Sequence, residues 1–272
     1  MDFCGGAETI EVVSDPSRIA GGTCGSSLWA CGPALVDWLS SDAAEASRAA
    51  ALWRGKRVLE LGAGLGFAGL ALAKLGARHV TLTDMTSQLP IIRRNAIANG
   101  SPDSVDVRAL HWGPGQTHES GAYDLVTPSH ISTTATRVTH DLVVPAPAHP
   151  QRAPPIPSLA SAQILGCDLI YDADAVPNLA HTITELLSAN PSATALIAAP
   201  DRCEFAHTRR GDPEPLPDYH LLFDVLTSTP APRGPFYVEQ LASLPPEVTG
   251  TASSLVDIFA VSKTRPDDYE WF

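Results

Sequence analysis

The sequence predicts an α/β chain built on a doubly wound, largely parallel sheet. Three observations predict it. Short β-branched runs alternate with segments of helical periodicity along most of the 272 residues. Their spacing suits strand–helix–strand units, which place successive strands parallel. The clearest strand, Arg57 to Leu61, runs directly into a glycine-rich loop that opens a helix.

The elements follow in order. Glu8 to Val13 alternates enough for a short strand. After Gly21, Gly22 and Gly25, apolar residues at Leu28, Cys31, Leu35, Trp38 and Leu39 keep helical spacing, with Pro33 in the first turns where its missing N–H is tolerated. Arg57 to Leu61 is a strand, Phe67 to Leu75 a helix stopped at Gly76, and His79 to Thr83 a strand. Thr86 to Asn99 reads as helix, ended by Asn99-Gly100 and Pro102, and Val105 to Leu110 as strand. Gln163 to Ile170 is a strand and Ala175 to Ser188 a helix carrying Val176, Leu179, Ile183, Leu186 and Leu187 on one face. Thr194 to Ala199 is a buried strand, Tyr219 to Leu226 a helix, and Leu255 to Val261 a last strand. One segment departs from the pattern. Residues 127–162 contain Pro128, Pro145, Pro147, Pro150, Pro154, Pro155 and Pro157 among many Ser, Thr and His, and are expected to form an insertion without packed structure inside one domain spanning 1–272.

Composition excludes several classes. Apolar residues at 44% and charged residues at 18% suffice for a core, so the chain is not disordered throughout. The charge-free run Leu61 to Ala73 is too short and glycine-rich to cross a bilayer, and the start MDFCGG lacks a secretion signal, so a cytoplasmic protein without a membrane partner is expected. Five scattered cysteines, with no CxxC pair, fit a reducing compartment rather than a disulfide frame or zinc ribbon. Cys203 and His207 share an i, i+4 spacing, but two ligands are too few for zinc, and no metal is expected. A net charge of −12 disfavours direct nucleic-acid binding.

The loop in RVLELGAGLGFAGL carries the chemistry. Glu60 ends the strand, and Gly62, Gly64 and Gly66 turn the chain into the helix, letting the backbone approach a ligand. Two cofactors compete for it. Gly64, Gly66 and Gly69, with Asp84 about 20 residues further on, fit a dinucleotide fingerprint. S-adenosylmethionine, whose loops have an acidic residue two positions before the first glycine, is the rival. Glu60 suits the ammonium and sulfonium of the second and opposes the diphosphate of the first. Asp84 can accept ribose hydroxyls from either and does not discriminate, so the loop alone favours S-adenosylmethionine only modestly, through Glu60.

The surroundings are more specific. GGTCGSSLWACGPALVDWL before the loop, LTDMTSQLPIIRRNAIAN after it, ALHWG at the third strand and ILGCDLIYDADAVPNL at the fourth occur in that order. Together they resemble the seven-strand S-adenosylmethionine-dependent protein-lysine methyltransferases, over roughly residues 10–200 with the insertion excepted. The Gly22-Thr23-Cys24-Gly25 motif is most similar to the branch acting on eukaryotic elongation factor 2. Cys24 replaces that branch's second Thr, and its separate N-terminal region is absent. The resemblance implies a Rossmann-like seven-stranded sheet with an antiparallel last strand, and a monomer that methylates a lysine ε-amine of a protein, with elongation factor 2 as a candidate. It implies that Trp29 lines the cofactor pocket, that Gly62, Ala63 and Gly64 meet the methionine end, that Asp84 meets the ribose and that Trp112 meets the adenine. Glu60, Gly66, Met85 and Cys167 complete the cofactor site. Asp168 and Tyr171 stand at the Asp-x-x-Tyr position and are the expected catalytic pair, Asp168 orienting the amine.

Simpler readings stand beside these. Trp29 and Trp112 could be core aromatics, and Tyr171 a buried residue with its hydroxyl on backbone. Asp168 resists such a reading, since a carboxylate ending an apolar parallel strand is costly unless donors or a cation meet it. The same cofactor site would also serve a small-molecule N-methyltransferase or a non-catalytic scaffold.

Overall fold

A computed structural model describes residues 7–15, 24–100, 104–116, 136–143, 163–201, 205–207, 213–215, 219–230, 232–246 and 255–263. Its elements are β1 (Ala7–Ser14), α1 (Cys31–Leu39), α2 (Ala44–Ala49), β2 (Arg57–Leu61), α3 (Phe67–Lys74), β3 (His79–Asp84), α4 (Leu89–Ala98), β4 (Val105–Ala109), β5 (Thr136–Val143), β6 (Gln163–Cys167), α5 (Val176–Ala189), β7 (Thr194–Pro200), β8 (Phe205–His207), β9 (Pro213–Pro215), α6 (His220–Ser228), β10 (Tyr237–Leu244) and β11 (Val256–Ser262).

Seven strands form the central sheet in the order β10-β11-β7-β6-β2-β3-β4. β4, β3, β2, β6 and β7 are mutually parallel, and β11 runs antiparallel to both β7 and β10. The expected antiparallel last strand is therefore present, within a doubly wound sheet. The chain leaves β2 toward β3 and β4, then returns to β6 on the other side. That reversal opens a crevice at the carboxyl ends of β2 and β6, where such sheets bind ligands.

Each sheet face buries a separate apolar layer. Along β2, Val58 joins the layer under α1, α3 and α4, whereas Leu59 and Leu61 join the layer under α5 and α6. The two-residue period of a strand places Glu60 on the same side as Val58, beneath α3. A carboxylate is thereby set inside an apolar layer at the strand's end, next to the crevice.

Four findings correct the expectations. Residues 136–143, inside the stretch expected to lack packed structure, form β5, paired antiparallel with β1 from Ala7↔Val143 to Ser14↔Thr136. The prolines of the segment lie on either side of this run, and Thr136, Val138, Thr139 and Val143 favour a strand. Its His140 Nε2 lies 2.8 Å from Asp37 of α1 and its ring meets Phe67 of α3 edge-on at 5.3 Å, which ties the ribbon to the domain. The rest of 127–162 lies outside the described residues, as do Gly22, Thr23 and Cys203. Second, β1 belongs to this ribbon and not to the central sheet. Third, β10 is a strand the sequence did not announce: it is an edge strand, half-exposed, and a register shift between Gln240 and Ala242 breaks its alternation. Fourth, β6 stops at Cys167 rather than Ile170, because Asp168 turns the chain at φ +55°.

The far edge of β1 is satisfied by side chains. Asn99 of the α4 C-cap accepts from Glu11 N at 3.0 Å and donates to Glu11 O at 2.6 Å. Asn95 accepts from Val13 N at 2.9 Å and donates to Val13 O at 3.4 Å. Four helical residues rise about 6 Å and two strand residues about 6.8 Å, so amides four apart on α4 match alternate residues of β1.

Candidate active site

The crevice is a cavity of about 790 Å³. Its walls come from the loop before α1, the β2–α3 turn, and the carboxyl ends of β3, β4 and β6. Trp29, Glu60, Gly62, Ala63, Gly64, Asp84, Met85, Trp112, Cys167, Asp168 and Tyr171 all line it. Gly66 does not. A Cβ there would sit 3.0 Å from Leu82 and 3.3 Å from Ile92, so this glycine serves the close packing of the turn onto the apolar layer.

The turn is built by close approach. Gly64 has φ +56°, and a Cβ on it would lie 3.1 Å from the Gly25 carbonyl oxygen, so the loop before α1 presses directly on the glycine turn. Asp84 fixes the same turn from the other side. Its Oδ2 accepts from Gly64 N at 2.8 Å and its Oδ1 from Met85 N at 2.7 Å. Burial pushes the Asp84 carboxyl up, opposed by those two N–H donors and by His111.

Glu60 resolves the two cofactor readings. Its Oε2 accepts from Gly69 N at 3.0 Å, in the first turn of α3. Gly69 is small because it faces this carboxylate and Leu82. A backbone N–H in the first turn of α3, where a diphosphate would be held, is thus already taken by a carboxyl group of the protein itself. Glu60, Asp84, Asp168 and Asp172 line the cavity, and none of the described lining residues is Lys or Arg. Such walls suit a ligand with ammonium and sulfonium groups better than one with a diphosphate.

Burial pushes the Glu60 carboxyl up to about 8; the Gly69 N–H works against the rise and Asp84 adds to it. The folded protein then holds a proton that the unfolded chain releases near its ordinary value of 4.5. Glu60's contribution to stability is full below that value and is lost as pH rises to about 8. Glu60→Gln keeps an acceptor for Gly69 and removes the titration. Melting of the ligand-free protein between about pH 5 and 8 should therefore decline less steeply in the variant, with Asp84 accounting for part of the remaining slope. Equal slopes would show that Glu60 stays ionised throughout.

Around the mouth, Trp29, Met85 and Tyr171 are 45%, 43% and 42% exposed. Trp29 and Tyr171 are therefore not core residues. Trp29 is held by its Nε1–H, which donates to the Cys24 carbonyl at 2.9 Å. That bond uses backbone, so Cys in place of Thr at position 24 does not disturb it. Burial pushes the Tyr171 hydroxyl up to about 12, with Asp84 next among the causes. Trp112 is half-buried and packs on the layer under α5, and a Cβ on Gly62 would lie 3.1 Å from its ring. Burial pushes the Cys167 thiol well up, so it packs as a small neutral group. Asp168 donates its N–H to the Ala198 carbonyl at 2.9 Å and holds φ +55°. Left-handed non-glycine backbone is costly and concentrates at functional sites.

The sequence did not single out Ser27, Gln88, His111, Asp172 or Asn178, which also line the cavity. His111 and Asp172 adjoin assigned motif residues and were within reach. Gln88 is 1% exposed at the start of α4, and no sequence pattern marks it.

The chain thus carries a seven-stranded, doubly wound α/β sheet with an acidic, glycine-turned crevice at its switch point. The family model described as "Lysine methyltransferase" matches residues 17–138, so the resemblance carried by the motifs holds over that stretch. Among curated relatives, EEF1A lysine methyltransferase 3 of Xenopus tropicalis is 42% identical over 80 residues, 29% of this chain and 35% of that protein. Protein N-lysine methyltransferase METTL21A of Danio rerio is 40% identical over 82 residues, 29% of this chain and 37% of that protein. Protein-lysine N-methyltransferase EFM3 of Chaetomium thermophilum is 28% identical over 187 residues, 67% of this chain and 44% of that protein. The chain thus spans less than half the length of these relatives. No described helix is long and apolar enough to cross a membrane.

Proposed function

We propose that this protein is an S-adenosylmethionine-dependent protein-lysine N-methyltransferase. The observation that carries the reading is the Glu60 carboxyl on the N-terminus of α3, in a cavity with three further acidic side chains and no Lys or Arg among its described lining residues. The lysine methyltransferase match over 17–138 supports it. Gly62, Ala63, Gly64 and the loop before α1 would hold the methionine end, Asp84 the ribose, and Trp112 the adenine. Bound there, the cofactor supplies an already activated methyl group.

The chain's own residues then have to align an amine and keep it neutral. A free lysine has a pKa near ~10.4, so deprotonation at pH 7 costs about 4–5 kcal/mol unless the site lowers that value. The aromatic mouth of Trp29 and Tyr171 desolvates the amine and lowers it. Asp168 alone would raise it, so its part is to orient the amine rather than to take the proton.

The acceptor we propose is a translation elongation factor met in the cytoplasm. The opening motif points to elongation factor 2, and the names of relatives include EEF1A. The test is transfer of tritiated methyl from S-adenosylmethionine into a lysate depleted of this protein, followed by purified elongation factors 1A and 2. A labelled protein band with methyl-lysine on hydrolysis is expected. Label in a small molecule would favour a small-molecule N-methyltransferase, and no label a scaffold.

A further inference from the structure

Three buried side-chain atoms have no hydrogen-bond partner among the described residues: Ser27 Oγ, Trp53 Nε1 and His79 Nε2. His79 Nε2 lies 3.4 Å from Asp106, and Trp53 sits beneath the Arg54 guanidinium. Only Ser27 lines the cavity. A buried hydroxyl is costly to leave unpaired, and one at a ligand cavity points to a partner that comes with the ligand.

The loop around Ser27 is held firmly. Next to it, the Ser26 carbonyl accepts from Asp15 N at 2.7 Å and from Ser14 Oγ at 3.1 Å. Ser26 Oγ donates to Gln88 Oε1 at 3.4 Å, and Ser27 N donates to the Cys24 carbonyl at 3.4 Å. Ser27 is therefore presented on fixed backbone, which reduces the ordering cost of binding.

Charge decides which part of a ligand meets it. The lining carboxylates Glu60, Asp84, Asp168 and Asp172 all lie at or just beyond the carboxyl ends of β2, β3 and β6. From the loop before α1, Cys24, Gly25, Ser27, Leu28 and Trp29 bring no carboxylate to the cavity. An anionic group on the ligand is repelled by the first wall and tolerated by the second. With no Lys or Arg among the described lining residues, it needs a neutral donor there, and Trp29 Nε1 is already spent on Cys24.

We infer that Ser27 is a cofactor-binding residue whose hydroxyl donates to the α-carboxylate of the methionine end. The inference rests on the S-adenosylmethionine reading above. It assigns the loop before α1 the job of separating the ligand's carboxylate from its ammonium and sulfonium, which face the acidic wall.

Calorimetric titration of wild type and Ser27→Ala with S-adenosylmethionine and with decarboxylated S-adenosylmethionine tests it. The two probes differ only in the carboxylate. Ser27→Ala should weaken the first by about tenfold and the second by no more than about twofold, as expected for a hydrogen bond to a charged group. The ligand-free melting temperature of Ser27→Ala should equal or exceed that of wild type, because no bond to a described residue is lost. Equal losses for both probes, or none for either, would overturn the assignment with the methyltransferase reading intact. A lowered melting temperature would show that the hydroxyl is bonded within the protein and would overturn it too. Wild type that binds neither probe would overturn both readings.

Discussion

Asp168→Asn is expected to abolish most methyl transfer and spare the fold. Asp168 sits at φ +55° where β6 ends, on the crevice side of the turn. Asn tolerates left-handed backbone as well as Asp does, so the exchange removes charge without adding strain. If the carboxylate orients the incoming amine, its contact is made in the ternary complex and the transition state rather than with the cofactor alone. Turnover should fall at least about a hundredfold, roughly 2.7 kcal/mol. Cofactor affinity should stay within about tenfold, roughly 1.4 kcal/mol. Asp168→Ala is the weaker test, since left-handed Ala costs a further ~1 kcal/mol or more of fold stability. Asp168→Gly relieves that strain and should be as inactive as Asp168→Asn. Kinetics run beside melts separate chemistry from folding. An Asp168→Asn protein with wild-type turnover would remove Asp168 from the mechanism.

The second large effect is expected at Asp84, and with the opposite signature. Its two oxygens hold Gly64 N–H at 2.8 Å and Met85 N–H at 2.7 Å, so it shapes the turn that the ligand meets. Asp84→Ala leaves both donors without that partner and removes the carboxylate proposed to accept from the ribose. Charge-assisted bonds of this kind are the stronger sort. Affinity for S-adenosylhomocysteine should drop by about thirty- to a hundredfold, roughly 2–2.7 kcal/mol. Because those contacts exist before and during reaction, turnover at saturating cofactor should change much less. An unchanged dissociation constant would mean that the ribose lies elsewhere.

The central sheet was legible because its middle strands are short and largely apolar. Arg57–Leu61 and Thr194–Pro200 are buried on both faces and look it. Most of the crevice was legible for the same reason: Glu60, Asp84 and Asp168 stand at strand ends, where a charge is conspicuous. The pairing of β1 with β5 was not, because nothing local in Thr136–Val143 names a partner so distant in sequence. β10 was hidden by its half-exposed edge and its bulge. Gly66 was misassigned because a glycine for packing and a glycine for a ligand look alike in a string. Ser27 was hidden because its interest lies in a buried hydroxyl with no partner among the described residues, which a sequence does not display.

The asparagine clasp on β1 has a consequence for the growing chain. Thr9 and its partner Asp141 are 132 residues apart, whereas Val13 and Asn95 are 82 apart. Closing the longer loop costs only about 0.4 kcal/mol more, so entropy hardly ranks the two events. Order of synthesis does, because α4 leaves the ribosome well before β5. The amides of Asn95 and Asn99 can dock β1 on the domain while its other edge waits for Thr136–Val143. Through that interval the nascent protein exposes an unpaired strand edge, the feature most prone to capture by a neighbouring chain. The β5 segment, set among prolines, closes that edge when it emerges.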